Sequence, residues 1–155
     1  MVSGLRTPFA ISVLLLAGAL LASCGGGSDD DQVSSTPVAP TNGRLTVRAF
    51  EFGFAPDSIL LSEGERVTIV LQNDGRILHN LKSNDIPAGV ALSESTGPLS
   101  AKEGEVFVGA DGGVRGTLEL TPLEAGTYAF YCTIADHEEL GMEGTIVVQP
   151  APERE

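Results

Sequence analysis

The sequence has no tryptophan, and only two histidines, two cysteines, two methionines and two tyrosines among its 155 residues. Each shortage excludes something. The immunoglobulin pattern, a buried Trp packed on a paired inter-sheet disulfide, is not met. Cations are scarce too: nine Lys and Arg stand against 21 Asp and Glu, for a formal net charge of −12. Nucleic acid and anionic lipid headgroups are poor electrostatic partners for such a surface. The apolar run at residues 9–21 is too short to span a bilayer as a helix. What acid there is lies unevenly. Residues 101–149 hold nine carboxylates against Lys102 and Arg115, whereas the signs balance over residues 44–82. That excess serves solubility, or it offers a docking face to a basic partner.

The run at 9–21 follows Arg6 and suits the apolar region of a signal peptide. It closes on Leu21-Ala22-Ser23-Cys24, which resembles the bacterial lipoprotein box. In that family the signal is cut before the Cys and the Cys carries the lipid. The alternative is an ordinary secretory signal cleaved nearby. Residues 25–42 are rich in Gly, Ser, Asp and Pro and almost free of apolar side chains, the composition of a disordered tether. The expected organisation is a signal peptide at 1–23, a lipid-bearing Cys24 with flexible linker at 24–43, a folded domain at 44–149 and a loose tail at 150–155. An exported protein with Cys24 lipidated leaves Cys132 without a disulfide partner, and an unpaired Cys there needs an explanation.

Within the domain the apolar pattern has a period of two. Leu45, Val47 and Ala49 alternate with polar residues in one stretch, and Val67, Ile69 and Leu71 do so in another. Phe52, Phe54 and Pro56 are expected to end the first stretch. Ile59-Leu60-Leu61 is a short apolar run before the turn Glu63-Gly64-Glu65, and Asn73-Asp74-Gly75 is a second turn. Residues 117–121 and 144–148 also predict strands. In Thr127-Tyr128-Ala129-Phe130-Tyr131-Cys132 the alternation puts Tyr128, Phe130 and Cys132 on one face. Residues 83–113, broken by Pro and Gly, predict a strand at Val106-Phe107-Val108 and otherwise an elaborated loop, with a helical turn near Val90 to Leu92. Short strands between turns and no convincing helix imply an all-β, antiparallel Greek-key β-sandwich.

The chemistry is concentrated in Cys132, His137 and Met142, spaced five residues apart, with His79 far upstream. Apart from Met1 and Cys24, these are all the sulfur and imidazole side chains in the chain. A thiolate, two imidazoles and a weak thioether are the His₂Cys set with axial Met of blue-copper sites. The plain alternative is a buried free Cys and a core Met beside two surface His.

Cys-x₄-His-x₄-Met after the aromatic strand Tyr128-x-Phe130-Tyr131 resembles the blue-copper cupredoxin family. Phe54-Ala55-Pro56, Gly64-Glu65-Arg66-Val67 and His79-Asn80-Leu81 follow the same family. The resemblance covers residues 44–149. It implies one type 1 copper held by His79, Cys132, His137 and Met142. It also implies a brace from the Asn80 side chain to the ligand loop, a backbone N–H of Asn80 to the thiolate, and a tyrosine corner at Tyr128. The function it implies is one-electron transfer between redox partners, by a membrane-tethered, exported protein in the cell envelope or periplasm. A monomer is expected, with no nucleic-acid partner and no enzymatic activity. Asp136, Glu138 and Glu139 flank His137 and favour a cationic redox partner, such as a basic c-type cytochrome. The competing functions are a copper carrier or storage lipoprotein, a zinc site, which would leave Met142 unused, and a Cys–His hydrolase, which leaves the Met spacing unexplained.

Overall fold

In the computed structural model, which describes residues 36–151, the first strand begins where the alternation begins. Arg44–Phe50 (β1) is exposed and buried by turns along its whole length, with Leu45, Val47 and Ala49 inward. The chain reverses into Gly53–Ala55 (β2), antiparallel to β1, with Phe54 opposite Ala49. The peptides Glu51–Phe52 and Ala55–Pro56 are cis. Thus the Phe52 to Pro56 stretch does not simply end β1; it doubles back on it. Ser58–Ser62 (β3) buries Ile59 and Leu61. At Gly64 φ is 75°, a value glycine adopts without the Cβ clash that penalises other residues. That turn feeds Val67–Asn73 (β4), whose Val67, Ile69 and Leu71 all face the core.

His79–Ser83 (β5), Ala88–Glu94 (β6), Val106–Ala110 (β7), Arg115–Pro122 (β8), Gly126–Tyr131 (β9) and Glu143–Gln149 (β10) complete the set. They form two five-stranded sheets, ordered β2-β1-β4-β8-β6 and β3-β10-β9-β5-β7. Among the described residues there is no helix. The all-β sandwich is as expected, but its sheets are mixed: β1 pairs with β4 in parallel, and so does β3 with β10. Parallel neighbours need a crossover. Between β1 and β4 the chain supplies it by crossing to the other sheet as β3.

Two expectations are corrected. Val90 to Leu92 is not a helical turn but the middle of the edge strand β6. Its register on β8 shifts between Val90, opposite Leu120, and Leu92, opposite Glu119. The extra residue is a bulge, which interrupts the period of two and hides the strand in the sequence. The segment expected as a free tether is also docked at its end. Val38 bridges Ile59 in parallel, donating to Ser58 O at 2.9 Å and accepting from Leu60 N at 2.9 Å. The signal region, Cys24 and the linker up to residue 35 lie outside the described residues, as do residues 152–155.

Between the sheets, Phe130 is fully buried and tilts against Phe54 with ring centroids 5.1 Å apart. Ile59, Ile69, Leu71, Leu81, Leu118, Leu120 and Ile146 surround them in one core cluster. Gly144 is small of necessity: a Cβ there would lie 2.3 Å from the Phe130 ring and 2.5 Å from Asp57 O. The Tyr128 hydroxyl donates back to Glu124 O at 3.1 Å, the geometry of a tyrosine corner. Phe130→Ala is expected to cost about 3–5 kcal/mol of unfolding free energy, as a large buried ring does. Leu92→Ala, on the exposed side of β6, is expected to stay within about 0.5 kcal/mol. Denaturant titration of the two variants checks both values.

Candidate metal centre

Three strand ends meet at one pole of the second sheet. β5 starts at His79, β9 stops at Tyr131 just before Cys132, and β10 starts at Glu143 just after Met142. The loop before His79 is fixed by the side chain of Asn73, which is fully buried. Its Nδ2 donates to Ile77 O at 2.7 Å and to Ala110 O at 2.8 Å, and its Oδ1 accepts from Gly75 N at 2.9 Å. Ala110 is the residue opposite His79 in the β5–β7 ladder. One amide therefore ties the approach to His79 to the neighbouring strand, and the bonds to Ala110 O and from Gly75 N are made in a buried place where unmade ones would be costly.

The loop from Cys132 to Met142 closes through its own backbone. Cys132 N donates to Met142 O at 3.0 Å, Met142 N to His137 O at 2.9 Å and His137 N to Ile134 O at 3.0 Å. Gly141, with φ of 94°, donates its N–H to Glu138 O at 2.9 Å and turns the chain into Met142. Asn80 braces this loop from the facing strand. Its Nδ2 donates to Thr133 Oγ1 and its Oδ1 accepts from Thr133 N, both at 2.9 Å. Its backbone N–H points to Cys132 Sγ at 3.4 Å.

Inside this frame the ligand-capable atoms of His79, Cys132 and His137 all lie within 4.8 Å of one another. Cys132 Sγ and His137 Nδ1 are 3.4 Å apart, and the two imidazole centroids 5.0 Å apart. Met142 is fully buried in the same core cluster, and its backbone is bonded to both Cys132 and His137. Neither ring nitrogen of His79 has a hydrogen-bond partner, although both are buried. A buried polar atom without a partner is uncommon and costly. An imidazole with a free nitrogen, a thiol and a second imidazole converging on one point is a donor set that fits a metal ion, so the residues present suit copper.

Electrostatics agree. Burial pushes the Cys132 thiol up, against the pull of the N–H groups of Asn80 and Ile134. Burial and then the neighbouring His137 push His79 down. Both shifts favour uncharged groups. A bound cation reverses the logic for the thiol, whose charged form then gains a partner.

His79, Cys132 and His137, expected from the sequence as ligands, are thus brought together, and Met142 and Asn80 stand beside them. Cys24 lies outside the described residues. Asn73 was legible only as a turn former. Two residues touch the surroundings of the histidines without having been expected there: Glu51, which carried no signal, and Phe52, which was expected only to help end the first strand. Asp136, Glu138 and Glu139 are exposed, whereas His79 has no exposed surface and His137 is 5% exposed.

Comparison with known proteins points the same way. Residues 41–149 match the family of copper-binding proteins of the plastocyanin/azurin type. A plastocyanin of Capsella bursa-pastoris is 34% identical over 97 residues, which is 61% of this chain and 86% of that protein. In three dimensions, auracyanin B superposes with a TM-score of 0.53 at 22% identity, over 76% of this chain and 94% of that one. A multi-copper oxidase of Pediococcus acidilactici gives 0.56 at 10% identity, over 78% of this chain but 30% of the oxidase. At those identities the two superpositions speak for the fold alone.

Asn80→Ala removes both side-chain bonds to Thr133 and is expected to cost about 1–3 kcal/mol, at about 0.5–1.5 kcal/mol net for each bond. Thr133→Ala keeps the bond from its own N–H to Asn80 and is expected to cost less. Chemical unfolding of the metal-free protein orders the two.

Proposed function

The chain belongs to the plastocyanin/azurin family of copper-binding proteins, and from that premise we propose that it carries single electrons between redox partners in the cell envelope, tethered through lipid on Cys24. The observation that carries this reading is the convergence of His79, Cys132 and His137 within 4.8 Å, with both His79 nitrogens unsatisfied. In this proposal these three side chains hold the ion and the thioether of Met142 is the weak fourth contact. Copper bound there supplies a one-electron couple between Cu(II) and Cu(I). The chain's own work is to hold the donors still. The loop closed by Cys132 N to Met142 O, and the Asn80 brace, favour one geometry in both oxidation states. The Asn80 N–H stabilises negative charge on the sulfur.

An enzymatic role is not favoured. The chain has two histidines and both stand in this site, so the histidines for a further copper centre are lacking. The site is buried on every donor, which leaves no open approach for a substrate. The same closure disfavours the alternative reading of a copper carrier or store, because handing over the ion requires an accessible donor. Loaded with Cu(II), the protein is expected to show an intense visible thiolate-to-copper band. Cys132→Ser abolishes it, and Met142→Leu keeps it while raising the potential. A colourless Cu(II) wild type with its thiol intact rejects the assignment.

Of the two imidazoles, His137 lies nearer the surface, and Asp136, Glu138 and Glu139 are exposed around it. A cationic partner, such as a basic c-type cytochrome, fits that loop. The attraction fades as salt shortens the Debye length from about 10 Å at 0.1 M to about 3 Å at 1 M, and it acts mainly on the encounter rate. Carboxylates near the ion also favour Cu(II) and lower the potential. Asp136→Asn, Glu138→Gln and Glu139→Gln combined are expected to raise the potential and to slow exchange with a basic cytochrome at low salt. Stopped-flow exchange at the wild-type rate, at low and high salt alike, would sink the docking proposal.

A further inference from the structure

The turn between β1 and β2 consists of two residues, Glu51 and Phe52, since Phe50 pairs with Gly53 across it. Two-residue hairpin turns favour Asn-Gly or a similar small pair. A carboxylate followed by an aromatic is a poor local choice, and such departures concentrate at functional sites. Each of the two side chains reaches the surroundings of a different histidine.

Glu51 serves the His79 side. Its Oε1 accepts from Arg76 N at 2.5 Å and from Ile77 N at 3.4 Å, in the segment just before His79. The N–H of Arg76 first, then that of Glu51 itself, and to a lesser extent that of Ile77 hold its carboxyl below the usual range. The neighbouring glycines are shaped to this contact. A Cβ on Gly75 would lie 2.7 Å from Glu51 Oε1, and one on Gly112 would lie 2.5 Å from Arg76 O. The 75–77 segment is therefore seated between the Glu51 carboxylate on one side and Gly112 on the other, while Asn73 holds it from within. Phe52 serves the His137 side. Its ring centroid is 4.8 Å from that of His137, tilted by 60°. Phe52 is 38% exposed and His137 5%, so the more exposed ring of the pair is the phenyl and not the imidazole. Phe50, the residue before the turn, lays its ring on Gly53, where a Cβ would come within 2.9 Å of it. The turn is thereby pinned at its base.

We propose that Glu51 and Phe52 are positioning residues for electron transfer, one two-residue turn holding both imidazoles of the copper site in place. The inference rests on the copper reading above and deepens it. A donor set that relaxes little between oxidation states exchanges electrons faster, for the same reason that any preorganised site reacts faster. The Glu51 carboxylate fixes the backbone that carries His79. The Phe52 ring limits the swing of His137 and keeps water from its outer face. Because both come from adjacent residues, a movement of one histidine is resisted through the turn that holds the other.

The test uses the full copper-loaded chain, with Phe52→Leu, Phe52→Tyr and Glu51→Ala beside the wild type. Electron self-exchange is read from magnetic-resonance line widths of mixed Cu(I) and Cu(II) protein at high salt. The copper hyperfine splitting in the electron-spin spectrum is read on the same samples. Phe52→Leu is expected to keep the thiolate-to-copper band, to slow self-exchange several-fold and to change the hyperfine splitting. Phe52→Tyr, which keeps the ring, restores both. Glu51→Ala is expected to slow exchange by a similar factor although it leaves Phe52 in place. A folded Phe52→Leu protein that loses the band also supports the proposal, because the ring then governs ligand geometry outright. If Phe52→Leu and Glu51→Ala both exchange at the wild-type rate with the wild-type splitting, the turn is only a hairpin connection and the proposal is overturned. A wild-type protein with no band fails one step earlier, at the copper reading itself.

Discussion

Two imidazoles and a thiol sit together in the interior, and one of the imidazoles has no polar partner for either nitrogen. Burying them that way costs free energy that hydrophobic contacts nearby do not return to the same atoms. A cation at their meeting point offsets part of it, by taking one nitrogen of each imidazole and the thiolate, and the rest of the architecture is arranged to keep that meeting point fixed. Asn73 ties the approach to His79 to the end of β7, Asn80 ties β5 to the ligand loop, and the loop closes on itself from Cys132 to Met142. Each tie is made by buried or half-buried amides with their bonds satisfied. The frame is therefore stiff before any metal is considered.

The same frame accounts for the strand order of the second sheet. A site assembled from the start of one strand and the loop between two others needs those three strands side by side. β10, β9 and β5 are adjacent in one sheet, and β3 joins its edge in parallel because the chain crosses between the sheets before returning as β4. Phe130, one residue into β9 from its end, sits at the centre of the core, packed on Phe54. The packing that stabilises the sandwich and the placement of Cys132 thus depend on the same strand. Its alternation sends Phe130 inward and carries the thiol inward two residues later.

Much of this was legible in the sequence. β1, β4 and β9 announce themselves by alternation, and the Cys-x₄-His-x₄-Met loop by its chemistry. Periodicity reports which face of a strand is buried but not which strand lies beside it, so the parallel ladders of β1 with β4 and β3 with β10 could not be read. β6 was missed because its bulge breaks the period between Val90 and Leu92. Val38 was read as linker because Val38-Ala39 among Pro, Ser and Thr is too short to carry a pattern, yet two backbone hydrogen bonds seat Val38 on β3. Asn73 reads as a turn former, which it is, but nothing local shows that its amide also reaches Ala110, 37 residues away. Glu51 carried no signal, and Phe52 was read only as part of the stretch that ends β1. Neither residue has a visible partner in the sequence, and only the fold brings them to opposite histidines.

The central claim is that the protein, and not the metal, sets the geometry of the donors. The most direct test is a set of three high-resolution crystal structures, metal-free, Cu(I)-loaded and Cu(II)-loaded. The predicted result is that His79, Cys132, His137 and Met142 keep the same rotamers in all three. The 74–78 and 132–142 loops should also superpose, with the Asn73 and Asn80 bonds unbroken. The claim is contradicted if either imidazole turns out of the site in the metal-free protein, or if the 132–142 loop adopts its closed form only when copper is bound.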